Sequence, residues 1–361
     1  MIALHASMTP LLAQAGQIRW LNFGLYHVTM ICILLMLTVG LALINGRTGL
    51  FSLGHAGFWA VGAYTAGWVL TVLSRYKLAP ALGAGAGGGA YFMSALCFAA
   101  AAVAAVIAAA VCGLLVGVPC LRLRGDYLAI ATLGFGEIIR ILIINTESLG
   151  GAAGMAVPTV LCSGGDRKYV FAALAFAGAC GCLLLVRNLL TSTHGRALMS
   201  IREDEIASQL LGVDVTRYKV ISFATGAGLA GLAGAVYAAF MGFLSPLDFG
   251  VMRSVELLLM VVLGGMASLT GTVIGTVVLY MIPETLRFLT WKVPMVTYTS
   301  QGWTRADVEL DKLWMVFYAV LLVLMMLMRP QGLLGGWEIS RLWSRRTKKL
   351  RTSTSARTSK S

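Results

Sequence analysis

Apolar runs of membrane-spanning length recur along almost the whole chain, at about 20–45, 49–73, 90–118, 127–146, 168–190, 219–243, 253–267, 271–289 and 312–328. A helix needs about 20 such residues to cross about 30 Å of hydrocarbon at 1.5 Å per residue. Hydrophobic residues make up 58% of the 361 and charged residues only 12%, about half the charged share of a soluble domain. The chain therefore reads as an all-α, polytopic transmembrane helical bundle of about 8–10 spans. Two runs are irregular: 253–267 is short, and 49–73 is interrupted by Gly54, His55 and Gly57. Each fits a broken or re-entrant segment, which is tolerated at membrane depth only where protein or a water-filled path surrounds it.

Charge orients the bundle. From Arg329 onward nine Lys and Arg, Arg345, Arg346, Lys348, Lys349 and Arg351 among them, stand against one acid, Glu338. The positive-inside bias places this tail in the cytoplasm. Four spans back, the polar loop at 191–218 falls on the same side, as do Arg47, Arg122 and Arg124. The expected organisation is an external N-terminal segment at 1–19, a transmembrane domain at 20–328 and a basic cytoplasmic tail at 329–361. The tail ends in RTSTSARTSKS, which reads as disordered. Its basic run suits lipid headgroups, and nucleic-acid binding is not expected. No Lys or Arg precedes Arg19, which argues against a secretory leader.

The loop THGRALMSIREDEIASQLLGVDVTRYK (193–219) is the long polar stretch between two spans. Its pattern predicts a short docking helix at about 201–211. Ser200 and Glu203 have capping-box spacing. Glu203, Asp204 and Glu205 fall in the first turn, where the helix dipole favours acids. Gly212 stands where a left-handed residue ends a helix. Ala197, Leu198, Ile201, Ile206, Leu210 and Val213 form a narrow apolar face. Such an element on the aqueous side of a membrane protein serves to hold a soluble partner.

Elsewhere chemistry is sparse. There is no GxxxxGK[ST], HExxH or GxSxG, and the glycine run at 83–89 opens no strand–helix unit. Nothing in the residues argues for an enzyme, a metal or a cofactor. Six of the seven cysteines, Cys32, Cys97, Cys112, Cys120, Cys180 and Cys182, lie in or at the ends of apolar runs with no CxxC pair, which suits buried apolar packing rather than a disulfide or metal site. Gly226, Gly228, Gly231 and Gly234, with the pairs Gly113/Gly117 and Gly271/Gly275, suit close helix packing. Glu137 and Arg140 lie three apart within a span, where charge is costly, and fit either a neutralised lock or a path or gate. Arg253/Glu256 and Glu284/Arg287 repeat the spacing. Ser52 and His55, at the interrupted run, join Glu137 and Arg140 as candidate path residues.

These segments resemble the membrane permeases of branched-chain amino acid ABC importers. The resemblance rests on GRTGLFSLGHAGFWAVGAYTAG (46–67), LRLRGDYLAIATLGFGEIIRILIINTESLGG (121–151), GRALMSIREDEIASQLLGVDVTRYK (195–219), GGMASLTGTVIGTVVLYMIPETLR (264–287) and RPQGLLG (329–335). The second segment is similar to the M-type (LivM-type) subunit rather than its H-type paralogue. The resemblance implies a multi-pass subunit of the bacterial inner membrane with no ATP chemistry of its own. Its implied partners are two cytoplasmic ATP-binding subunits, a paralogous permease and a periplasmic substrate-binding protein. The implied cargo is leucine, isoleucine, valine or a related amino acid. The loop at 191–218 corresponds to the family's ATPase-coupling loop, with Arg196, Ser200, Arg202, Glu203, Asp204, Glu205, Ala207 and Gly212 as the candidate residues. Relative to the EAA coupling pattern, Ile206 replaces an alanine and Gly212 comes one position late. Ala152-Ala153-Gly154 stands where the family often has a Pro/Asn-Gly turn, and 291–311 and the basic tail are less family-like.

Two rivals remain open on sequence. A permease of the same build could carry urea or a short amide, and the ligand of the associated binding protein would discriminate. An ion-driven secondary transporter would favour unpaired buried carboxylates and repeated halves, whereas the charges here are mostly at pairing distance in sequence.

Overall fold

The computed structural model describes residues 24–76, 88–120, 123, 125–158, 167–266, 268–288, 292–299, 302–309, 320 and 323. The chain is a helical bundle. Six helices among the described residues are long and apolar enough to cross a membrane. They are α1 (Gly24–Gly46), α2 (His55–Arg75), α3 (Gly88–Cys120), α4 (Asp126–Asn145), α5 (Arg167–Thr191) and α8 (Val215–Met241). Each coincides with one of the predicted runs. Two short helices, α6 (Thr193–Glu203) and α7 (Glu205–Leu210), occupy the polar loop. The predicted span at 312–328 lies outside the described residues apart from Val320 and Val323, as do the segment 1–19 and the tail 329–361.

The chain divides into two units, residues 1–258 and 259–361, with α9 (Val251–Gly264) running from one into the other. In the first unit α2, α3 and α8 pack mutually, and α1 and α8 are the most enclosed spans. Small residues set the distance. A Cβ on Gly62 would lie 2.6 Å from the Gly231 carbonyl oxygen, and one on Gly231 would lie 2.6 Å from that of Ala105. A Cβ on Gly113 would meet that of Ala227 at 2.5 Å. Lipid gives helices no hydrophobic reason to associate, so such backbone-to-backbone approach supplies the packing. The glycines of α8 thus serve the helix contacts expected of them.

The interruption before α2 is real. The last turn of α1, Leu43–Arg47, winds as a π-helix, and the chain then runs irregularly to Gly54. This stretch is largely buried, with Gly49 and Phe51 exposed, and side chains bond several amides in it and just after it. Leu53 N donates to Thr132 Oγ1 at 3.0 Å, Ser52 N to Asn45 Oδ1 at 3.1 Å and Ala56 N to Ser254 Oγ at 3.3 Å. In the segments that follow α4 and α8, β1 (Met155–Ala156) pairs antiparallel with β2 (Phe243–Leu244).

In the second unit the C-terminal turn of α9 packs on α10 (Leu269–Phe288), where a Cβ on Gly275 would lie 2.6 Å from the Met260 carbonyl oxygen. With 14 residues α9 is about 21 Å long, shorter than the hydrocarbon layer, as the short run implied. One segment departs from the all-helix expectation. Within 291–311, β3 (Lys292–Thr299) and β4 (Gly302–Glu309) pair as an antiparallel ribbon, with Lys292 opposite Glu309 and Tyr298 opposite Trp303. Its β-branched residues, Val293, Val296, Thr297, Thr299, Thr304 and Val308, explain the choice.

Replacing Gly231 by leucine should destabilise the purified, detergent-solubilised protein by about 3 kcal/mol, read as a lower thermal midpoint or outright loss of folded yield, because backbone stands opposite. Gly181→Leu in α5, where an added Cβ meets nothing within 4 Å, should leave the midpoint within measurement error.

Candidate functional site

The polar loop is built differently from the single capped helix that its pattern predicts. Ser200 lies inside α6 and donates its hydroxyl to the Ala197 carbonyl at 2.9 Å, so it is not a cap. The break comes at Asp204, which is extended at φ −154° and ψ 114°. Its Oδ1 accepts from Ile206 N at 2.9 Å and Ala207 N at 3.0 Å, capping α7. Asp204 prevails because a carboxylate satisfies two free amides with charge assistance, while a serine within a helix bonds back to its own turn. Glu203 therefore ends α6 and Glu205 opens α7. Gly212 follows α7 at φ +83°, the left-handed position expected of it.

Two contacts tie the loop to the bundle. Arg202 Nη1 donates to the Gly46 carbonyl at 2.8 Å, joining α6 to the π-turn of α1. Lys219 Nζ, at the buried start of α8, pairs with Glu205 Oε2 at 2.8 Å. Leu198 and Ile201 are buried against the bundle. Of the rest of the predicted apolar face, Ala197 and Val213 are half-buried, while Ile206 is 64% exposed, Leu210 84% and its neighbour Leu211 83%. Arg196 and Ala207 are exposed as well.

A second group of polar residues lies inside the bundle at the α1–α2 junction. Ser52 and His55 are fully buried, and Trp59 nearly so. Ser52 Oγ, both ring nitrogens of His55 and Trp59 Nε1 make no hydrogen bond of ordinary geometry among the described residues. The Leu37 carbonyl lies within weak reach of His55. Asn45 grips the Ser52 backbone from both sides, donating Nδ2 to its carbonyl at 3.5 Å and accepting from its amide at 3.1 Å. Helix α4 packs on this junction through Gly136, which faces Gly54 and Gly57.

Glu137 and Arg140 do pair, Oε2 to Nε at 2.8 Å, with side chains about a quarter exposed on α4. Arg253 and Glu256 pair at 2.8 Å, also as spaced. The structure brings Ser52 and His55 together; Glu137 and Arg140 form a separate pair on the adjoining helix. Near the other end of α2, a partly open pocket of about 390 Å³ is bordered by Tyr64, Thr65, Trp68, Ile143, Thr146 and Ser148. Its volume lies at the small end of ligand cavities.

Residues 24–326 match the family model described as branched-chain amino acid transport system / permease component. The chain belongs to this family. It is 35% identical over 333 residues to the high-affinity branched-chain amino acid transport system permease protein LivM of Salmonella typhimurium, covering 85% of this chain and 68% of that protein. The LivM of Escherichia coli is 34% identical over 333 residues, with the same shares covered. A probable branched-chain amino acid transport permease protein LivM of Methanocaldococcus jannaschii is 26% identical over 240 residues, 64% of this chain and 67% of that one. As a transport permease of the multi-pass class, the chain is a transporter subunit rather than an enzyme.

For this permease the sequence pointed to the loop but not to its anchors. Lys219 reads as the first residue of a span, and Gly46 carries no side chain to betray its role. Asn45, Thr132 and Ser254 are lone polar residues in or beside apolar runs, a weak signal that nonetheless marks what holds the irregular backbone.

Removing the Glu205 charge strands the buried Lys219 ammonium. Glu205→Gln should destabilise the solubilised permease by about 2 kcal/mol, below the range for fully buried pairs because the carboxylate is partly exposed. The double variant with Lys219→Met should recover most of the loss in a thermal-shift series, since neither charge is then left unpaired.

Proposed function

We propose that this permease is one of two paralogous pore-forming subunits of an ATP-driven importer of branched-chain amino acids. The loop at 191–218 faces the cytoplasm and receives force from one of two ATP-binding subunits, and a periplasmic binding protein delivers the substrate from the other side. The observation that carries this reading is the loop itself. A rigid element anchored at Arg202 and Lys219 presents Ile206, Leu210 and Leu211 bare to the aqueous phase. Apolar side chains clustered in this way suit a groove on a soluble partner. The relatives' printed names support the substrate class.

On the path, the Glu137–Arg140 pair offers both signs to a zwitterion while remaining neutral as a unit. Ser52 and His55 sit where α1 breaks, and a residue set that is buried and poorly bonded suits a gate rather than a fixed core. The basic tail lies on the cytoplasmic side against anionic lipid.

The test is transport by the reconstituted complex: this permease, its paralogue, the ATP-binding subunits and the binding protein in liposomes with labelled leucine. Uptake should require ATP and the binding protein. Ile206→Ser, Leu210→Ser and Leu211→Ser combined should reduce it at least about tenfold, the cost of losing two or more apolar anchors, with the permease still folded. Uptake of urea in place of leucine would change the cargo and keep the machine. Leucine uptake that persists without ATP-binding subunits and follows a proton gradient would overturn the reading.

A further inference from the structure

The Arg202–Gly46 hydrogen bond spans 156 residues of sequence and ends on an unusual piece of backbone. Gly46 belongs to the π-turn Leu43–Arg47, a wound-open form that recurs at functional sites. Just beyond it Gly49, at φ +71°, rests against the Arg202 stem, where an added Cβ would meet Cγ at 3.5 Å. Within the same turn Asn45 grips Ser52 through both its amide and its carbonyl. Leu53 N then bonds to Thr132 on α4, and Ala56 N to Ser254 on α9. Through the adjacent backbone of Asn45 and Gly46, these bonds lead from α6 in the loop to Ser52, three residues before His55.

That group has the character of one state of a two-state element. Four of its polar atoms are buried and lack ordinary hydrogen bonds among the described residues. Such atoms raise the energy of the arrangement that hides them, and a small shift of 45–55 that admits water or solute relieves them. Beyond the π-turn the segment has no regular hydrogen-bond ladder to resist the shift, because it is held by the side chains of Asn45 and Thr132, with Ser254 bonding Ala56 just after it.

We propose that Arg202 is the positioning residue through which the loop acts on segment 45–55, so that movement of α6 opens and closes the polar interior at Ser52 and His55. The inference rests on the reading of 191–218 as the ATPase-coupling loop. The Glu205–Lys219 pair holds α7 to α8 and gives the loop its second fixed point. Arg202 touches neither nucleotide nor cargo in this scheme; it transmits.

The complete complex in liposomes tests this with Arg202→Gln and Arg202→Lys, scoring leucine moved and ATP hydrolysed in the same vesicles. Arg202→Gln should cut leucine moved per ATP about tenfold, the worth of one hydrogen bond from a charged donor, and Arg202→Lys should restore most of it. A second measurement reads the segment directly. Ser52→Cys is labelled with a membrane-impermeant maleimide and scored at that position by peptide mass spectrometry, with and without vanadate-trapped nucleotide. Labelling should depend on the nucleotide state, and the dependence should vanish when Arg202→Gln is added. Leu50→Cys replaces the reporter if Ser52→Cys does not assemble. An unchanged transport-to-ATP ratio in Arg202→Gln, or nucleotide-dependent labelling that survives it, would overturn the proposal while leaving the coupling loop intact. Absence of ATP-dependent uptake in the unmodified complex would instead remove the coupling reading on which it rests.

Discussion

Hydrocarbon offers no partner to a bare amide or carbonyl, and this requirement shapes every described part of the permease. It is why the long apolar runs become helices, whose backbone groups satisfy one another. It also explains how the irregular stretch between α1 and α2 is held. Between Arg47 and Gly54 the chain has no ladder, and side chains supply bonds there, Asn45 from α1 to Ser52 and Thr132 from α4 to Leu53, while Ser254 from α9 bonds Ala56 in the first turn of α2. The irregular stretch is therefore fixed by lone polar residues, each a small local exception within an apolar helix.

The same solvent leaves association to shape. Gly62 against Gly231 and Gly113 against Ala227 let backbones approach to distances that no larger residue permits. Helices packed so closely transmit displacement well, because their contacts are rigid backbone rather than rotatable side chains. Polar features inserted into such packing are costly unless bonded. Ion pairs Glu137–Arg140 and Arg253–Glu256 meet that demand within single helices, whereas Ser52, His55 and Trp59 do not meet it in this arrangement.

Much of this was legible in the chain. The six membrane-length helices, the interrupted run at His55, the short run that became α9 and the three-residue charge spacing each follow from local pattern. Local pattern also located the polar loop, yet placed its cap at Ser200 when Asp204 holds that role. Capping-box spacing singles out Ser200, since Glu203 stands three residues after it but Ala207 three after Asp204, and only the competition for free amides selects Asp204. The ribbon at 292–309 escaped because its alternation is weak beside the hydrophobicity of the rest. Arg202–Gly46 and Glu205–Lys219 were invisible for a different reason. One acceptor is a backbone carbonyl, and the other pair spans a turn whose path the sequence does not draw.

The extended residue at Asp204 has a mechanical meaning for the loop in its proposed coupling role. It divides a short segment into two stiff arms, one fastened to α1 through Arg202 and the other to α8 through Lys219. A load applied at Leu210 and Leu211 reaches α8 through Glu205 and Lys219, and reaches α1 through α6 and Arg202. The loop then works as a bell crank: a push along the membrane normal arrives as shear between two spans, not as a lift of both.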